Sequence, residues 1–140
     1  MIRKRYRLEP RVWSYIEGEL YNYDANRGRL EEFREDILEG TPLAEAVGSR
    51  SGPGDPTASK VMRLTTGAAI AKLARDINAI DRALKRLTEN HRAVFELKYR
   101  QGLSWEQVTM EMPCGRSTYF ELRKEIIFMV AQELGFEVLD

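Results

Sequence analysis

The sequence predicts an all-α fold: a long-helix bundle or arm towards the N-terminus and a helix-turn-helix towards the C-terminus. Apolar residues recur three and four positions apart over long stretches, which gathers them on one helical face. No stretch shows the alternation of a half-buried strand. Charged residues reach 31%, a share that suits helices with well-solvated faces, while 43% hydrophobic residues suffice for a core.

The first block, residues 1–39, reads as a helical arm. Val12, Ile16, Leu20, Tyr23, Leu30, Phe33 and Ile37 form its apolar stripe. Pro10 suits a first helical turn and Gly40 an end. Arg27 and Gly28 interrupt the stripe, so a kink or break is expected there. Residues 40–57 hold four glycines and three prolines and read as a flexible linker. The glycines do not lead into a Gly-Lys-Ser/Thr step, so no phosphate loop is present. Residues 58–87 read as one long helix, capped near Asp55 or Thr57. Ile70, Leu73, Ile77, Ile80, Leu84 and Leu87 are spaced as a heptad seam. Two and a half repeats favour an ordinary bundle helix, with a homodimer through the long helices left open.

Residues 88–140 carry the functional signal. Thr88-Glu89-Asn90 opens a short helix to about Arg100, stopped by Gly102. Ser104 and Gln107 stand three apart as a capping box, opening a helix to about Met112. Pro113-Cys114-Gly115 makes a tight turn, and a last helix runs from Arg116 to about Leu134. Val108 and Met112 on the first of these helices, and Tyr119, Leu122 and Ile126 on the second, supply the inward faces, with Cys114 as a small apolar plug. This is the pattern of a helix-turn-helix, whose second helix keeps one face for the core and another for the major groove.

The candidate DNA-binding residues are Arg116, Ser117, Thr118, Phe120, Glu121, Arg123 and Lys124. Arg pairs with guanine edges, Ser and Thr bond bases or phosphates, and Glu accepts from cytosine. Phe120 is a candidate for a thymine methyl or for partial burial. The first turn of this helix also presents N–H groups to a phosphate. Arg92, Lys98, Arg100 and Gln107 are candidate anchors to the DNA backbone. The net charge is zero, yet Lys60 to Arg100 holds ten Lys/Arg against four Asp/Glu, while both flanks are mildly acidic. The phosphate-facing charge is therefore expected largely in that block.

Neither catalysis nor a cofactor is predicted. Cys114 and His91 are single, so no disulfide framework or metal cluster is expected. His91 reads as a surface or phosphate-contact residue, Trp105 as a packing residue, and the acidic pairs Glu31-Glu32 and Glu35-Asp36 as solvated helix faces. Arg3 to Arg7 reads as a tail sooner than a phosphate-binding arm. It lacks a following apolar run, so no signal peptide is expected, and no run approaches the roughly 20 residues of a transmembrane helix.

Residues 87–134 resemble region 4 of sigma factors and, more closely, phage transcriptional regulators of the RinA/ArpU type. His91-Arg92-Ala93-Val94-Phe95-Glu96-Leu97-Lys98-Tyr99, Gly102-Leu103-Ser104-Trp105-Glu106-Gln107-Val108, Arg116-Ser117-Thr118-Tyr119 and Arg123-Lys124-Glu125-Ile126-Ile127 carry the resemblance. Asp55-Pro56-Thr57, Arg63-Leu64-Thr65-Thr66 and Glu133-Leu134-Gly135 extend it over most of the chain. The resemblance implies a sequence-specific regulator of phage or prophage late or packaging genes. It further implies double-stranded DNA and RNA polymerase as partners and the bacterial host cytoplasm as location. Such families commonly read Gly-Val-Ser at the turn. Pro113 excludes the positive φ that Gly would allow, so a differently bent turn is expected. Two alternatives stay open: a small terminase subunit that recognises packaging-site DNA, and a helical adaptor that binds RNA polymerase.

Overall fold

The computed structural model describes residues 7–38 and 56–137, with side chains for 7–36 and 66–137. Its helices are α1 (Pro10–Tyr21), α2 (Tyr23–Leu38), α3 (Pro56–Arg86), α4 (Glu89–Val94), α5 (Trp105–Glu111) and α6 (Arg116–Leu134); a π-helical segment (Phe95–Arg100) follows α4. The fold is all-α, with no strand among the described residues. The expected linker lies outside the described residues except for Pro56 and Thr57, which open α3. Of the basic start, Arg3 to Tyr6 also lie outside them.

The break expected at Arg27 and Gly28 falls instead at Asn22, between α1 and α2. Asn22 takes φ −95° and ψ 7°, off the helical basin, while its N–H still donates to the Gly18 carbonyl at 3.0 Å. Asn readily leaves the helix because its amide competes for backbone groups. Arg27 and Gly28 sit inside α2, where Arg27 reaches Glu31 one turn on at 3.8 Å. A lone Gly costs a helix only about 1 kcal/mol, too little to force a break.

The chain divides into two compact units, and the division falls inside helices. The expected boundaries at residues 39, 57 and 87 follow helix ends, and the compact units divide after Asp24 and after Ile77. One unit comprises Ala25 to Ile77, where Leu30 and Ile77 are buried and the buried Asp76 carboxylate lies 3.4 Å from the Arg75 guanidinium.

The other unit joins the residues up to Asp24 with those from Asn78 onward. Here α6 is the central element: α1, α4 and α5 all pack on it, and α1 and α5 also meet the π-helical segment. Ile16 and Leu20 of α1, Val94 of α4, Val108 of α5 and Tyr119, Ile126, Ile127 and Val130 of α6 are all essentially inaccessible. Burying each such side chain stabilises the fold by about 1.5–3 kcal/mol. The helix expected to end near Arg100 does so, but its last six residues widen, with the Gln101 N–H reaching back five residues to the Glu96 carbonyl at 3.0 Å. The widening accompanies two large buried rings, Phe95 and Tyr99, 6.0 Å apart. Gly102 then reverses the chain at φ 71°, a conformation in which a side chain would be strained. Gly135 closes α6 at φ 83° in the same way.

Candidate nucleic-acid interface

The α5–turn–α6 unit forms as its sequence requires. Ser104 Oγ accepts from the Gln107 N–H at 3.2 Å, and Gln107 Oε1 accepts from the Ser104 N–H at 3.0 Å. This reciprocal cap fixes where α5 starts. It also occupies Gln107, one of the four expected backbone anchors. Met112 leaves α5 in an extended conformation, φ −114° and ψ 107°, and Gly115 enters α6 at φ −74° and ψ 161°. The positive-φ residues among those described are Gly102 and Gly135, so the turn bends without a positive φ and accommodates Pro113. Cys114 is half-buried, as a plug should be. No side chain caps the start of α6.

Tyr119 and Ile126 point into the core, each 1% exposed, and Leu122 between them is half-buried. Arg116, Ser117, Thr118 and Glu121 are exposed on the other side, while Phe120, Arg123 and Lys124 are half-buried. The cause of that burial is aromatic. The Arg116 guanidinium lies over the Trp105 ring, 4.8 Å from its centroid, and 5.5 Å from that of Phe120. Arg123 sits 4.9 Å from Phe120 and 5.3 Å from Trp13 of α1. Lys124 Nζ lies 5.5 Å from Phe128, whose ring meets Trp13 edge-on at 6.3 Å. None of these three cations makes an ion pair or hydrogen bond with a described residue, and Arg123 Nε is buried without a partner.

The other expected backbone anchors are differently placed. The Lys98 side chain is 11% exposed; its ammonium donates to the Tyr21 hydroxyl at 2.8 Å and lies 3.7 Å from Glu17. Burial works to lower its pKa, but the Tyr21 hydrogen bond and the charges around it hold it above the ordinary lysine value. Arg100 is clamped by Asp24 at 3.3 Å and Glu96 at 3.1 Å. Arg92 is exposed and donates a long 3.4 Å bond to the Leu84 carbonyl. Lys98 and Arg100 therefore tie elements of the fold together, leaving Arg92 as the anchor candidate with an accessible charge. A cleft of about 480 Å³ beside it carries both signs, with Lys85 and Arg100 against Glu89 and Glu96.

Glu17 of α1 is a hub that sequence reading missed. It accepts from Trp13 Nε1 at 3.0 Å, from the Tyr99 hydroxyl at 3.0 Å, and faces Lys98. Burial, followed by the Glu17 charge and hydrogen bond, pushes the Tyr99 hydroxyl well above the ordinary tyrosine range. His91, expected at the surface, is 6% exposed. Its Nδ1 completes the Thr88 cap and its Nε2 lies 2.5 Å from Glu125 of α6. His91 is buried because at the third helical position its side chain folds back over the helix start, towards α6, which packs there. The contacts Arg116–Phe120, Phe120–Arg123 and Lys124–Phe128 were legible as helical spacings of four, three and four. The contributions of Trp105 and Trp13 were not, because they come from other helices.

Among the described residues no helix is long and apolar enough to cross a membrane. No group of three His, Cys, Asp or Glu side chains among them stands close enough to hold a metal ion. No curated protein and no solved structure matches the chain. Residues 32–132 match the family model described as protein of unknown function (DUF722), and the chain belongs to that family.

Proposed function

We propose that the protein is a sequence-specific DNA-binding transcriptional regulator that inserts the first turns of α6 into the major groove. One observation carries the reading: the cations on the outer face of α6 have aromatic neighbours and no carboxylate, whereas Lys98, Arg100, Arg82 and Arg86 are each paired with an acid. A cation without an internal counterion is available to a phosphate or a base edge. The surrounding arrangement supports it, since a capped α5, a four-residue turn and a buried Tyr119–Ile126 face leave Arg116, Ser117, Thr118 and Glu121 outward. The resemblance to RinA/ArpU-type regulators adds the biological setting: phage or prophage late or packaging genes, read in the bacterial cytoplasm and served by RNA polymerase. No catalytic step is part of the proposal.

Duplexes selected from a random pool and titrated in band shifts test it. Log affinity should fall roughly linearly with log salt, and Arg116→Ala and Lys124→Ala should each weaken binding. A protein whose affinity for every duplex is independent of salt, or unchanged in both variants, is not a DNA reader through α6. The first of those outcomes would point to a protein-binding adaptor.

A further inference from the structure

The two arginines on the outer face of α6 are in different situations. Arg116 is exposed, stands at the first position of the helix and rests over Trp105 and Phe120. Arg123 is half-buried between Phe120 and Trp13, with its Nε sealed from solvent. A guanidinium is planar, and a ring against it limits its rotation while leaving in-plane N–H donors free. Such a group has already lost much of the freedom that binding would cost it. Its fork geometry matches the O6 and N7 acceptors of guanine, which an ammonium contacts only as a point charge.

We infer that Trp105 and Phe120 form a stacking platform that presents Arg116 edge-on to a guanine, which makes Trp105 a positioning residue for base selectivity. The inference rests on the DNA-binding reading above. Trp105 reaches the site from the start of α5, immediately after the Ser104 cap, so the cap also sets where the platform stands. Phe120 extends the platform along α6 towards Arg123. With its Nε sealed, Arg123 lacks one edge of the fork and braces the platform sooner than it reads a base.

The test is a set of per-position base preferences, measured by selection from a randomised duplex pool. The proteins are the full-length chain and its Arg116→Lys, Trp105→Leu, Trp105→Ala and Trp105→Phe variants. The unaltered protein should require guanine at one position of its site. Arg116→Lys should relax that position about tenfold, within the range of a lost bidentate contact, while other positions hold. Trp105→Leu and Trp105→Ala should relax the same position, and Trp105→Phe, which restores a ring, should keep it. Arg116→Lys lies on an exposed face, so it reports on the contact even where a Trp105 variant fails to fold. Relaxation by Arg116→Lys with full selectivity in Trp105→Leu overturns the platform and leaves the DNA reading intact. Unchanged selectivity in Arg116→Lys overturns the guanine assignment. Absence of any base preference in the unaltered protein removes both the inference and the reading beneath it.

Discussion

The basic block from Lys60 to Arg100 and the outer face of α6 carry the same kinds of side chain in opposite circumstances. The block holds ten cations, yet Arg75, Arg82, Arg86, Lys98 and Arg100 each face a carboxylate. The last 40 residues hold only three, Arg116, Arg123 and Lys124, and all three rest beside aromatic rings with no acid. Local charge counts favour the block; availability favours α6. Two of the block's pairs cross from α3 to Glu133, at 2.8 and 3.1 Å, so an acidic residue far along the sequence consumes its charge. A linear charge count sees none of this.

That contrast can be broken most forcefully at its structural end. Glu17→Ala removes the acceptor shared by Trp13, Tyr99 and Lys98 and leaves a buried hydroxyl without a partner. It should destabilise the fold by about 2–3 kcal/mol in urea unfolding. A loss within the error of the surface variants would mean that the hub is decorative. At the functional end, Arg116→Ala should cost about 1–3 kcal/mol of DNA affinity with little change in unfolding midpoint. The reverse outcome would place Arg116 among the structural cations.

The salt dependence of DNA binding separates the two regions directly. Lys124→Ala should reduce the slope by about one if it meets a phosphate. Arg100→Ala should leave the slope unchanged and cost about 0–1 kcal/mol of stability as a partly exposed pair. Equal slopes in both variants would erase the distinction.

The smallest effect is in alkali. The folded-state pKa of Tyr99 is raised by burial and by Glu17, so its contribution is complete below its unfolded value, about pH 10, and is lost as pH rises above it. Lys98 is raised too and loses its contribution in the same direction. Tyr99→Phe should therefore lose less stability than the unaltered protein between about pH 10 and 11. Parallel decline of the two in pH-dependent unfolding would count against the buried hydroxyl.

Much of the local structure was legible because its causes are local. The Ser104–Gln107 cap, the span of α6 and its Tyr119–Ile126 face follow from spacings of three and four. The sequence points to Gly28 for the break that falls at Asn22, since a lone glycine weakens a helix by too little to end it, whereas Asn22 leaves the helical conformation. His91 was misjudged because polar residues near helix starts are usually solvated, and only packing against α6 brings Glu125 to it.

The sequence by itself determined the all-α class, the limits of α5 and α6 and the exposure of Arg116, Ser117, Thr118 and Glu121 on α6. Hydrogen bonds and helical periodicity act over a few residues, so they can be read in one dimension. Tertiary structure decided which cations remain available. Ion pairing and ring stacking depend on close approach between residues of different helices, as with Arg116 over Trp105 at 4.8 Å, Arg123 over Trp13 at 5.3 Å and Arg82 beside Glu133 at 2.8 Å. The candidate interface is thus written in α6 but finished by α5 and α1.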